Sequence, residues 1–234
     1  MPESTSRDHP TSLVDYADDR YHEKRHPEFL RDQELSLAWS YFADLVYFPN
    51  VKAGDKVLEF GGGIGNNLHA VSKRATVTMV EPAPIGRKTA TDRGIRSVER
   101  LDCIKGELFD HVLCRHVLEH LDHPLQTLIE LRQILKPNGQ ITMVLPFESP
   151  WAMPISEDLN HHLYCWNPRN ISNLLCHAGF GVQNVRFEYY GAKRVLMPIY
   201  RKFGGVVYAK MVRAVGYLCR FREIVATAIS GGDR

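Results

Sequence analysis

The chain has 234 residues, 44% of them apolar and 24% charged, enough for one well-buried domain of ordinary size. It holds no long uncharged apolar run, so no membrane-spanning helix is expected, and the polar N-terminus MPESTSRDHPTS is unlike a secretory signal. Five cysteines without paired spacing (Cys103, Cys114, Cys165, Cys176, Cys219) read as reduced thiols of a cytoplasmic protein. The net charge of +2 is unevenly spread. Eight basic residues and no acidic one lie between Lys193 and Arg222, so the rest of the chain is net acidic.

Residues 1–30 are polar and rich in charge and read as an arm or as short helical turns. A helix follows from about 32 to 48, where Leu35, Leu37, Ala38, Tyr41, Phe42 and Leu45 form an apolar stripe. After a turn at 50–54, strand and helix signals alternate. DKVLEF is a strand, and the glycine-rich turn after it leads into a helix through Lys73. ATVTMVE is the next strand, and PIGRKTATDRG is a helix closed by Gly94. A short strand near Ser97 and Val98 precedes HVLCR, the strand at 111–115. A helix from about 122 to 135 ends at LKPNG, and QITMVLP at 140–146 is the next strand. A loop rich in Pro, Trp and acid spans 147–162. The helix NPRNISNLLCHAG has Asn167 as cap, Pro168 in its first turn and Gly179 at its end. GVQNVRFEYY and REIVATAIS are the last strands, with a basic helical insertion at 191–221 between them. This alternation predicts an α/β fold with a mostly parallel, doubly wound sheet and helices on both faces.

The most informative stretch is VLEFGGGIGNN. A strand entering a glycine-rich turn brings backbone N–H groups close to a ligand, and a helix N-terminus there adds partial positive charge. A second strand ends at Glu81, stopped by Pro82, where a carboxylate can accept both hydroxyl protons of a ribose. The glycine spacing identifies the class of ligand. A dinucleotide fingerprint that starts at Gly61 and Gly63 needs glycine at 66, and that residue is Asn66. The pattern is instead E-x-G-x-G-x-G, from Glu59 to Gly65.

In this pattern the chain resembles the class I S-adenosylmethionine-dependent methyltransferases of the small-molecule group. FDHVLCRHVLEHLDHP, LRQILKPNGQITMVLP and HHLYCWNPRNISNLLCHAGFGV resemble that family's later motifs in order, over about residues 52–190. The resemblance implies a Rossmann-like seven-stranded sheet whose last strand, 223–230, is antiparallel. It implies that Gly61, Gly62, Gly63 and Gly65 line the cofactor, that Glu59 approaches its amino group and that Glu81 binds its ribose. Further cofactor contacts are implied at Cys114, Arg115 and His116. Glu99 and Asp102 are loose candidates near the adenine.

Methyl transfer from a sulfonium is an in-line displacement in which the protein chiefly positions the reactants. A hydroxyl acceptor adds the need for a base, and histidine suits that role near neutral pH. His116 and His161 are the candidates, with His162 beside the latter. His116, His120 and His123 have a spacing that metal ligands can share. Without an H-E-x-x-H pattern or a cysteine cluster, however, no metal site is expected. Cys114, at a strand end, reads as packing.

The expected activity is therefore methyl transfer to a small molecule, at a hydroxyl of a sugar, lipid-linked or natural-product acceptor. The acceptor site would be built from residues 1–48, 147–166 and 191–221. The basic segment reads either as a packing helix with a solvated edge or as contact with an anionic membrane or substrate. No nucleic-acid module is visible. The rival readings are a NAD-dependent oxidoreductase and a non-catalytic scaffold of the same fold.

Overall fold

The computed structural model describes residues 27–148 and 162–231. The N-terminal arm up to residue 26, most of the 147–162 loop and His161 lie outside the described residues.

Two helices open the described chain, α1 (Pro27–Arg31) and α2 (Gln33–Tyr47). Asp32 starts the second of them: its side chain accepts the backbone N–H of Leu35 at 2.9 Å, satisfying one of the unpaired donors of the first turn. Of the predicted stripe, Leu35, Ala38 and Phe42 are buried, whereas Leu37 and Tyr41 are only partly so and Leu45 is exposed; Trp39, Ala43 and Val46 complete the buried face instead.

Seven strands among the described residues form one sheet. They are β1 (Lys56–Phe60), β2 (Thr76–Val80), β3 (Arg96–Val98), β4 (Phe109–Arg115), β5 (Leu135–Pro146), β6 (Gly181–Tyr189) and β7 (Arg222–Ile229). Their order is β3-β2-β1-β4-β5-β7-β6. The first five pair in parallel, and β7 runs antiparallel between β5 and β6. This is the expected Rossmann-like sheet. The strand order reverses between β1 and β4, and their C-terminal ends flank the crevice where α/β sheets hold ligands.

Period-2 alternation sends neighbouring residues to opposite faces. Val57, Leu113, Val144 and Val225 face a core that includes α2, whereas Leu58, Val112, Met143 and Ile224 face the other core. Helices α3 (Pro84–Asp92), α6 (Met197–Phe203) and α7 (Gly205–Cys219) join the first core. The second is covered by α4 (Pro124–Gln133) and α5 (Pro168–His177). The start of α5 carries the predicted cap: Asn167 accepts from the N–H groups of Arg169 and Asn170. No described helix is long and apolar enough to cross a membrane.

The structure corrects two sequence expectations. The segment after β1 is not an α-helix: residues 61–70 form successive turns, followed by one 3₁₀ turn at Val71–Lys73. Gly61, Gly63 and Gly65 all have positive φ, and Asn66 and Asn67 spend their side chains on partners elsewhere in the fold. The argument from a helix N-terminus therefore does not hold here, and the loop's own N–H groups must do that work. Strand β5 starts at Leu135 rather than at 140, with an irregular register between the pairs Phe109–Leu135 and His111–Gln140. Finally, the 191–221 insertion, read as either a packing helix or a membrane contact, owes its packing to Gly216 of α7. That glycine lets the helix lie directly on the chain after β6, since a Cβ there would sit 2.3 Å from the Tyr190 nitrogen. Gly205 likewise meets the face of the Tyr41 ring. The 191–221 insertion is thus in large part a packing element against α2.

Candidate active site

A cavity of about 400 Å³ opens at the C-terminal ends of β1 and β4. Its floor is the glycine turn, Gly61 to Gly63 with Ile64, Asn66 and Asn67. Arg115, His116, His120, Pro146, Glu148 and His162 form one wall, and Phe29, Trp39, Tyr190 and Lys193 form the other. All three segments expected to build an acceptor site therefore contribute.

The turn is shaped by close approach. Gly61 (φ 72°) has its N–H bonded to the Val80 carbonyl at 2.8 Å, and a Cβ on it would lie 2.3 Å from Val117. A Cβ on Gly62 would strike Met79 and come within 3.2 Å of Glu59 Oε2. Gly65 is different: it lies off the cavity wall, packed against Ile95 and Ala90. Its requirement for glycine is structural.

Glu59 is buried beneath the turn, 1% exposed. Its Oε1 accepts from Asn67 Nδ2 at 2.5 Å, and Asn67 Oδ1 accepts from the Trp39 indole at 2.9 Å. Its Oε2 has no hydrogen-bond partner among the described residues. Burial pushes the carboxyl up to about 8. A ligand carrying an ammonium group at this place would satisfy the orphaned oxygen and hold the carboxylate ionised. The residues therefore fit the amino-acid end of S-adenosylmethionine.

Glu81, 4% exposed, holds the turn from behind. Its oxygens accept from the N–H groups of Gly63 at 2.8 Å and Ala83 at 2.9 Å. Replacing Glu81 by alanine should lower S-adenosylmethionine affinity by about ten- to hundredfold, since a charged hydrogen bond contributes about 1.5–3 kcal/mol. It should also lower the melting temperature by a few degrees, because Gly63 loses its acceptor. Calorimetric titration with melting curves checks both, and unchanged affinity would refute a role for Glu81 at the ribose.

The other implied cofactor residues separate. Cys114 is fully buried in the core under α4 and off the cavity wall, and burial pushes its thiol well up. Glu99 and Asp102 are exposed and do not line the cavity. Arg115 and His116 do line it, as part of a buried charged network centred on Glu223, the second residue of β7. Glu223 Oε1 accepts from the Tyr47 hydroxyl. Its Oε2 lies 3.3 Å from Arg115 Nη2 and 3.2 Å from His116 Nε2. Burial works against the Glu223 charge, but Arg115, His116 and Tyr47 outweigh it and hold the carboxyl below its usual range. Arg115 also bonds Tyr47 through Nε at 3.2 Å and stacks 5.4 Å from the Trp39 ring centroid.

His116 has φ 51°, a left-handed conformation uncommon outside glycine, asparagine and aspartate, and its N–H is tied to the Val144 carbonyl at 2.8 Å. Burial first, and then Arg115, lowers its pKa below the ordinary histidine value, so the ring is neutral at pH 7. A proton on Nε2 faces the Glu223 carboxylate, which leaves the lone pair on Nδ1.

Sequence reading did not find Tyr47, Glu223, Trp39 or Asn67. Only Glu223 left a signal, as a lone acid at the head of the apolar run IVATAI. The basic segment also divides. Lys193 enters the cavity, 4.3 Å from the Phe29 ring centroid and 3.6 Å from Glu28, while Lys202, Lys210 and Arg220 are exposed.

Comparison with known proteins bears on this arrangement. Residues 21–185 match the model of a family described as a methyltransferase domain. A ubiquinone/menaquinone biosynthesis C-methyltransferase, UbiE, of Bordetella avium is 31% identical over 197 residues, covering 78% of this chain and 70% of that protein. The chain spans about half the length of other curated relatives it matches. Among solved structures, a putative methyltransferase in complex with the Haloferax volcanii Trm112 activator superposes with a TM-score of 0.63 at 18% identity, covering 95% of this chain and 99% of that one. Phosphoethanolamine N-methyltransferase 2 of Haemonchus contortus, in complex with S-adenosyl-L-methionine, superposes with a TM-score of 0.58 at 15% identity, covering 96% of this chain and 62% of that one.

Proposed function

The chain belongs to the methyltransferase domain family, with S-adenosylmethionine as its cofactor, and on that premise we propose that it methylates a hydroxylated small molecule with His116 as the base. One observation carries this reading: a neutral imidazole on the cavity wall, next to the glycine turn, with its Nε2 held by a buried, ionised Glu223. Gly61, Gly62, Gly63, Glu59 and Glu81 would hold the cofactor. When bound, it supplies a methyl group on a positively charged sulfur.

The chain's own residues then have defined tasks. His116 Nδ1 accepts the hydroxyl proton while the acceptor forms its new bond to the methyl carbon. The imidazolium that results donates through Nε2 to Glu223, whose charge stabilises it. Arg115 and Tyr47 keep Glu223 fixed. Trp39, Phe29 and Tyr190 give the cavity an aromatic wall against which a flat ring can pack, and Lys193 sets a cation over the Phe29 and Trp39 rings. We therefore infer a hydroxylated ring as the acceptor. A second reading, favoured by the relative from Bordetella avium, is methylation at ring carbon. Removing a ring hydroxyl's proton also makes the adjacent carbon nucleophilic, so the same base serves both outcomes.

The test is label transfer from methyl-labelled S-adenosylmethionine to a panel of hydroxylated aromatic rings and their methoxy-capped counterparts. Transfer confined to the uncapped rings is expected, and mass spectrometry of the product separates oxygen from carbon methylation. Transfer to capped rings or to amines alone would refute the role of the hydroxyl proton.

The exposed face of α6 and α7 suits peripheral contact with an anionic membrane. Val206, Tyr217, Leu218 and, just past α7, Phe221 are all more than half exposed, and Lys202, Lys210 and Arg220 in the same stretch of sequence are exposed too. Co-sedimentation with phosphatidylglycerol vesicles, but not with phosphatidylcholine vesicles, is the expected result. Equal recovery with both, or with neither, would remove the proposal.

A further inference from the structure

The VLEH segment after β4 forms a 3₁₀ turn, Leu118–His120, and places Glu119 on the inner side of the wall. Glu119 is 0% exposed, and neither carboxylate oxygen has a hydrogen-bond partner among the described residues. Two orphaned oxygens on one buried carboxylate are costly unless something else satisfies them. The neighbours suggest what that is. His120 Nε2 lies 3.9 Å from Glu119 Oε1, and the rings of His120 and His162 meet edge to face with centroids 4.9 Å apart. One ligand-capable atom each from Glu119, His120 and His162 lies within 4.8 Å of the others.

The loop that carries His162 is fixed to this turn by the chain itself. The Leu163 N–H donates to the Glu119 carbonyl at 2.8 Å, and the Tyr164 hydroxyl donates to the Asp122 carbonyl at 3.2 Å. His162 Nδ1 lies 2.6 Å from Glu148 Oε1. A proton on Nδ1 shared with Glu148 leaves the lone pair on Nε2, the carboxylate–histidine arrangement that orients metal-binding imidazoles.

We propose that Glu119, His120 and His162 form a binding site for a divalent metal ion, with Glu148 as the positioning residue for His162. Two imidazoles and one carboxylate select ions such as Zn²⁺ or Mn²⁺ over Mg²⁺ or Ca²⁺, which favour sets of oxygen ligands. Three protein ligands leave a coordination position open, and both histidines line the cavity, so that position faces the side where the acceptor lies. The proposed site differs from the group that spacing alone singled out. His116 and His123 are not in the cluster, and its third ligand comes from more than forty residues away, beyond the reach of any local motif.

The test needs no turnover. The full chain, stripped with a chelator, is titrated calorimetrically with Zn²⁺, with Mn²⁺ and with Mg²⁺ as control, and the bound metal is counted by elemental analysis. One Zn²⁺ or Mn²⁺ per chain is expected, with binding weakened more than tenfold in His162→Ala and in Glu119→Gln. Glu148→Gln should weaken it by about 10- to 100-fold. If Glu119→Gln does not fold, His162→Ala decides, because that side chain sits in a surface loop. Circular dichroism and a cooperative thermal transition verify the fold of each variant. Failure of the stripped wild-type chain to bind either ion overturns the proposal. So does binding that survives His162→Ala, which would place the metal elsewhere.

Discussion

Replacing His116 by asparagine is expected to lower kcat about 10²–10⁴-fold, or roughly 2.7–5.5 kcal/mol of transition-state stabilisation. Affinity for S-adenosylmethionine should change by less than about tenfold. Asparagine is the informative replacement because it tolerates the left-handed backbone that His116 adopts, whereas alanine would add strain to the loss of the base. The companion variant is Glu223→Gln, which keeps the shape of the side chain and removes the charge that stabilises the imidazolium. If His116 acts through Glu223, the double variant should be scarcely slower than His116→Asn alone, since residues that act as a unit are not additive. Independent losses that multiply would separate the two residues. An unchanged kcat in His116→Asn would leave the protein with positioning as its contribution.

The second large effect concerns stability. Arg115→Met should destabilise the fold by about 3–5 kcal/mol, because it leaves Glu223 charged in a site that is 1% exposed. For a domain of this size that corresponds to a fall in melting temperature of roughly 6–20 °C. The structure also predicts the remedy. Adding Glu223→Gln to Arg115→Met removes the stranded charge and should recover about 1–3 kcal/mol, a coupling that a double-mutant cycle measures directly. A cycle with no coupling would mean that Arg115 stabilises by stacking on Trp39 and Tyr47 rather than by pairing with Glu223.

How much of this was legible in the sequence follows from the range over which each feature is specified. The strands and most helices rest on local patterns, and they fall where periodicity and caps put them. Asp32 and Asn167 cap the helices they precede, and the strand ending before Glu81 does so in the structure. The glycine turn was located, but not its conformation. Whether a glycine run continues into helix depends on what Asn66 and Asn67 bond to, and their partners, Ser36, Trp39 and Glu59, belong to the surrounding fold. The charged network was invisible for the same reason. Tyr47 and Glu223 are 176 residues apart, and only the insertion of β7 beside β5 brings them together. Cys114 shows the opposite limit. The family resemblance implied a cofactor contact there, yet strand alternation turns that side chain into the opposite core, away from the cavity.

The position of β7 has a consequence for how the protein is made. It follows the other six strands of this sheet in the chain, yet it lies inside the sheet, between β5 and β6. Strand β6 is complete at Tyr189 and cannot join the sheet until β7, which begins at Arg222, has been synthesised. At translation rates of about 5–20 residues per second, the nascent chain spends roughly 2–7 s with β6 waiting and the edge of β5 uncovered. During that interval Tyr47 and Arg115 have no Glu223, so the pocket wall is assembled only when the sheet closes. An unpaired strand edge is a template for association, so that interval is the point of elongation at which the sheet is most exposed to it.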